Sequence, residues 1–343
     1  MAPSGRSSGR RPALAAAVLG PAAALAAAGV ALAHGPVPAI PPDPLNLAFG
    51  WTLEPAVLLP LVAAAVGWLR LVARIDRAHP ANPVPRRRSV AFLAGLGVVA
   101  VALMSGIDSY DTTLFSVHMV QHLLLTLVAA PLIALGAPIT MLLRAATPDV
   151  RRRLILPILH SRVLRVLSFP VVSWLAFAAV MWGTHFSPLF DLSLEQPLAH
   201  DLEHALYLGA GLLFWWPAVG LDPSPWRMPH PVRAMYVFLQ MPQNTFLAVA
   251  ILGSSVPLYA HYATLIRSRG PSALEDQQQA GGLMWIGGDV LFLAAMAAIL
   301  AGWMVHEKRR EAVVDRRLDA ERAAIRVREA KLAERLAAER EGR

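Results

Sequence analysis

Residues 89–107, SVAFLAGLGVVAVALMSGI, run without one charged side chain. A helix of that length spans about 30 Å, the thickness of the hydrocarbon core of a bilayer. Comparable apolar runs recur at about 51–72, 115–143, 166–184, 198–218, 233–254 and 281–304, each bounded by proline, glycine or charge. In lipid every backbone N–H and C=O needs an internal partner, so single runs of this length must be helical. The chain therefore reads as an all-α, polytopic membrane bundle whose seven spans occupy residues 51–304. With 56% hydrophobic and only 16% charged residues among 343, it is not a soluble domain of ordinary composition.

The two ends differ from this core. The N-terminus begins basic, continues Ala-rich past Gly20-Pro21 and closes on the small-x-small Ala31-Leu32-Ala33. That pattern predicts a signal peptide over residues 1–33, with an uncleaved eighth span as the alternative, followed by a short outer segment at 34–50. Residues 305–343 turn polar and Arg/Glu-rich, with Leu318, Ile325 and Leu332 spaced by seven. So thin a seam predicts a solvated cytoplasmic helix before a partner-binding coiled coil.

The net charge of +8 would suit nucleic acid, but its placement is topological. Arg74, Arg77, Arg86, Arg87 and Arg88 follow the first span, and Arg144, Arg151, Arg152, Arg153, Arg162 and Arg165 follow the third. Segments 34–50, 108–114 and 185–197 contain no Lys or Arg. Positive loops stay in the cytoplasm, so the mature N-terminus is expected outside and the C-terminus inside. The lipid bilayer, not nucleic acid, is the partner this pattern implies.

Topology sorts the histidines. His79, His160, His230 and His306 fall in basic loops or the tail, where a solvated imidazole needs no explanation. His118 and His122 fall at the outer end of the third span, His200 and His204 at the outer end of the fifth, and His185 just past the fourth. Helical residues i, i+3 and i+4 share a face, so HMVQH puts His118, Gln121 and His122 on one stripe and HDLEH does the same for His200, Glu203 and His204. Polar groups inside spans face a bundle interior or cavity and mark ion, proton or cofactor sites. Hydrogen bonding between helices is the plainer alternative.

With no cysteine in the chain, transition-metal chemistry must use His, Met, Asp or Glu. Copper is the first expectation: imidazole ligates it, thioether selects Cu(I), and Met181 lies four residues before His185. Met119 and Met284 lie near the same depth. A haem clamped between paired histidines, as in a membrane redox protein, is the second, and a structural assembly scaffold with no metal of its own stands as a further alternative. The third takes HDLEH as the H-x-x-E-H of a zinc protease family with Glu203 as base, but HMVQH has Gln121 where a base would be needed, so no catalytic residue is assigned.

Several phrases together resemble the CtaG group of bacterial cytochrome c oxidase assembly factors, which are polytopic membrane proteins. They are IDSYDTTLFSVHMVQHLLLTLVAAPLIALGAP, HFSPLFDLSLEQPLAHDLEHALYLGAGLLFWWP, PLYAHY and DQQQAGGLMW, in that order. The resemblance implies a role in maturing cytochrome c oxidase at the bacterial plasma membrane, through copper supplied from the outer side, with oxidase subunits and other copper chaperones as partners. The family pattern falls on Asp108, Asp111, His118, Gln121, His122, His185, Asp191, His200, Glu203, His204, Tyr259, Tyr262, Asp276, Gln277, Gly281, Met284 and Trp285. Asp108, Asp111 and Glu203 would accept the second N–H of ligating imidazoles, with helix capping the alternative for the aspartates. Gln121, Asp276 and Met284 are expected around the same ligands. His261 is a possible auxiliary, as is His34, which cleavage after Ala33 would turn into a copper-chelating N-terminus.

Overall fold

A computed structural model describes residues 43–267 and 270–341. The signal-like segment 1–33 and His34 lie outside the described residues. All regular structure among the described residues is helical. Five helical runs are long and apolar enough to cross a membrane: Pro55–Ala78, Arg86–Tyr110, Phe115–Ala145, His230–Leu252 and Ala273–Lys331. The expected fourth span falls on a helix of only 16 residues, Pro170–His185. The expected fifth falls on Pro197–Val219, whose first two turns carry His200, Asp201, Glu203 and His204. Length in one case and buried polarity in the other set these two apart.

The elements used below are α1 (Pro55–Ala78), α2 (Arg86–Met104), α3 (Phe115–Leu123), α4 (Ala130–Gly136), α5 (Pro138–Ala145), α6 (Pro170–His185), α7 (Leu189–Glu195), α8 (Pro197–Val219), α9 (His230–Phe238), α10 (Gln240–Leu252), α11 (Ala260–Thr264), α12 (Ala273–Gly282) and α13 (Gly288–Glu341). The third run is not one uniform helix. A π-helical stretch, Leu124–Ala129, joins α3 to α4, and Ala137 takes a left-handed φ of 56° before Pro138 opens α5. A second π stretch, Leu283–Gly287, joins α12 to α13.

Helices α3 and α4 with their π stretch form the centre, against which α2 and α8 pack, while α12 lies against α3 and α10. Two glycines permit close approaches between helices. A Cβ on Gly211 of α8 would lie 3.1 Å from the Thr126 carbonyl oxygen, and one on Gly281 of α12 would lie 2.9 Å from the Leu252 backbone nitrogen. Small residues at such crossings let membrane helices meet backbone to backbone. The indole of Trp215 then donates to the Thr126 carbonyl at 2.8 Å, inside the π stretch where helical pairing is irregular.

The core is apolar and so are the outward faces. Leu59, Val90, Phe246 and Ile286 are all about two-thirds exposed, as a surface meeting lipid rather than water requires. The chain divides into two compact units, the second beginning at Ala295. In that second unit α13 continues as one helix to Glu341. Its Leu318 and Ile325 are exposed, with no seam buried between them.

Candidate metal centre

Three helices bring the histidines together. His118 and His122 follow one another on α3, His200 and His204 on α8, and His185 ends α6. Ring centroids lie 4.3 Å apart for His118–His122, 4.1 Å for His200–His204, 5.3 Å for His118–His200 and 6.2 Å for both His122–His204 and His122–His185. All five are buried. The two motifs thus meet as one cluster.

Hydrogen bonds to groups that can only accept fix which nitrogens keep a lone pair. Tyr262 donates its hydroxyl proton to the Asp111 carbonyl, so its oxygen accepts from His118 Nδ1 at 3.2 Å and leaves His118 Nε2 bare. That Nε2 sits 2.8 Å from His122 Nε2. His185 Nδ1 donates to the Met181 carbonyl at 2.7 Å, so its Nε2 keeps a lone pair, 3.3 Å from the Met119 sulfur. Gln121 donates from Nε2 to the Ala102 carbonyl at 3.0 Å and to Asp108 at 3.4 Å. Its Oε1 therefore accepts from His204 Nε2 at 3.0 Å, leaving Nδ1 of His204 as the unprotonated nitrogen.

Two carboxylates enter the cluster. Glu203 Oε2 lies 3.7 Å from His118 Nε2, and Asp111 Oδ2 lies 3.6 Å from His200 Nε2. Neither carboxylate pairs with a Lys or Arg among the described residues. Burial pushes the Asp111 carboxyl well above the usual carboxylate range. Both Glu203 oxygens and His122 Nδ1 are buried without a hydrogen-bond partner among the described residues. Buried polar atoms left this way are costly unless something else satisfies them.

A cation would do so, and the donors fit one. Ligand atoms of His118, His122 and His204 lie within 4.8 Å of one another, as do those of Asp111, His200 and His204 and those of His118, His200 and Glu203. Neutral imidazoles with a thioether nearby match a soft ion such as Cu(I). The rings touch one another directly, which leaves little room for a porphyrin between His118 and His122.

Several expected residues stand elsewhere. Asp276 does not face the histidines: it accepts from the Phe115 and Ser116 amides at 2.8 and 3.2 Å and pairs with Arg267 at 3.3 Å, so it caps α3 from α12. Met284 offers its carbonyl to Asn244 at 3.0 Å. His261 donates from Nε2 to the Thr112 carbonyl at 2.8 Å while its own amide donates to Asp191. Met181 meets His185 through its carbonyl, and the thioether beside His185 belongs to Met119.

Sequence reasoning missed Tyr207. Its ring lies 3.8 Å from that of His122, and its hydroxyl bonds Thr184 at 2.6 Å and lies 3.2 Å from His185 Nδ1. Its spacing of three from His204 was the available signal. Phe190, fully buried, closes over His118 and His185 with centroids at 5.2 and 5.4 Å.

The family model described as the cytochrome c oxidase caa3 assembly factor matches residues 66–306. Uncharacterized proteins of Mycobacterium bovis and Mycobacterium tuberculosis are each 29% identical over 290 residues, covering 82% of this chain and 44% of theirs. One of Mycobacterium leprae is 27% identical over 286 residues, 81% of this chain and 43% of its own. The chain thus spans less than half the length of these relatives. No solved structure matches it.

Proposed function

The chain belongs to the cytochrome c oxidase caa3 assembly factor family, and from that premise we propose that it serves oxidase maturation by binding copper in the His118/His122/His185/His200/His204 cluster and passing it on. The observation that carries this reading is the convergence of His118, His122, His200 and His204 with Asp111 and Glu203 in three overlapping donor groups, where both Glu203 oxygens are buried with no hydrogen-bond partner among the described residues. The thioether of Met119 beside the imidazoles favours copper over a haem, and the Nε2 atoms of His118 and His122, 2.8 Å apart, leave no slot for one between them. Copper is cargo here, so no covalent catalysis by Glu203 is invoked.

The same reading places the cluster near the outer face. The arginine-rich loops lie at the opposite end of the third run from His118, which by the positive-inside rule puts His118 toward the outside and residues 305–343 in the cytoplasm. Helices α6 and α8 join the five long apolar runs to make seven spans over residues 51–304. Oxidase subunits are the recipients, and copper chaperones of the outer compartment are the donors by the same chemistry.

Cells carrying His118→Ala with His200→Ala test it. At limiting copper, oxidase activity should fall severely, with partial recovery on adding copper. Full activity at limiting copper overturns the proposal.

A further inference from the structure

His185 Nε2 and the Met119 sulfur face each other at 3.3 Å, both on buried side chains. Whether a hydrogen lies between them is decided on the far side of the ring. Thr184 donates its hydroxyl to the Val180 and Met181 carbonyls at 2.8 and 3.3 Å, so Tyr207 donates to Thr184 at 2.6 Å. Both hydroxyl protons are then engaged, although the Thr184 and Tyr207 oxygens lie 3.5 and 3.2 Å from His185 Nδ1. The ring proton therefore sits on Nδ1, which donates to the Met181 carbonyl at 2.7 Å.

Nε2 is left with a lone pair, and a thioether sulfur has only lone pairs to offer. Two such atoms share no hydrogen, and in a buried site each stays unsatisfied until something electron-poor bridges them. Ligands bound at roughly 2.0–2.3 Å to one tetrahedral ion lie about 3.5 Å apart. The observed separation is close to that of two ligands on one ion.

We propose that Met119 Sδ and His185 Nε2 together ligate Cu(I), forming a subsite that selects this oxidation state. The inference rests on the copper reading above and adds to it a thioether ligand and the ion that this ligand prefers. Thioether ligands select Cu(I), whereas imidazole alone also suits Zn, Fe and Ni. The pair adjoins the other donors: the His122 ring lies 6.2 Å from that of His185, and Met119 directly follows His118 on α3.

The test is X-ray absorption at the copper edge, on the full chain in detergent micelles loaded anaerobically with excess Cu(I) and desalted. The wild type should show a sulfur scatterer at about 2.3 Å beside nitrogen, and Met119→Leu, a volume-conserving swap, should show nitrogen and oxygen only. Chelator competition should find Cu(I) binding to Met119→Leu weakened by about 10-fold or more. Circular dichroism and a monodisperse elution profile check the fold of the variant. Copper without a sulfur neighbour in the wild type, or a sulfur neighbour that persists in folded Met119→Leu, overturns the subsite and leaves the copper reading standing. No copper in the wild type overturns both.

Discussion

The two ends of the third apolar run use the same device for different ends. At the histidine end Asp276 reaches from α12 to cap the Phe115 and Ser116 amides of α3. At the arginine end Asp222 caps the Ile139 and Thr140 amides of α5 at 3.1 and 2.6 Å and accepts the Thr140 hydroxyl at 2.7 Å. Near Asp222, Arg144 donates to the Asn82 carbonyl and Arg233 donates from Nη1 to that of Val219, where a cation suits a helix C-terminus, and Arg233 Nε alone of these atoms is buried without a partner among the described residues. Around Asp276 the helix is equally well capped, yet just beyond it lie imidazole and carboxylate atoms that are buried and unsatisfied. Capping alone marks architecture; convergent unsatisfied donors beside it mark a binding site.

The largest contrast should come from the ligands themselves. His118→Ala with His204→Ala should weaken copper binding by more than about 100-fold, beyond what loss of an outer-shell partner costs, while Asp222→Asn should leave it unchanged; competition against a Cu(I) chelator reads both. Equal losses at the two ends would erase the distinction. Next in size, Asp276→Ala should destabilise the fold by about 3 kcal/mol, because it takes the carboxylate partner from largely buried Arg267 as well as from two amides, against about 1–2 kcal/mol for Asp222→Ala. Thermal unfolding in detergent checks the order.

Smaller effects probe the supports of the imidazoles. Gln121→Leu should weaken copper binding by about 10-fold by releasing His204. Tyr207→Phe removes a hydroxyl hydrogen bond worth about 1 kcal/mol and should weaken binding only a few-fold. Chelator competition at fixed pH measures each. If Tyr207→Phe costs more than His204→Ala, Tyr207 is itself part of the binding chemistry and the ligand set needs revision.

Much of this was legible in the chain. Helical spacing placed each histidine pair on one face, and charge placement put both pairs at one depth, so their meeting needed only that α3 and α8 be neighbours. Gly211 shows how α8 comes against the third run, at Thr126 and Ala130 just beyond α3, but a glycine in an apolar run gives no hint of which helix it faces. Asp276 was misplaced because a cap reaching across 161 residues leaves no local signature, so its carboxylate looked like one more ligand partner. Met181 and Met119 exchanged roles for a related reason. The i, i+4 rule put Met181 beside His185, where it supplies a backbone carbonyl, whereas the neighbouring thioether comes from a different helix. The break at Ala137 was hidden as well, because Ala-Pro in an apolar run reads as a continuing span.

The central claim is that these histidines bind copper and not haem. It is tested most directly by metal analysis and an absorption spectrum of the full chain purified from its membrane, beside His118→Ala/His200→Ala. The account predicts copper in the wild type, no Soret band, and loss of that copper in the variant. A Soret band removed by the same substitutions, or copper that persists in the variant, would contradict it.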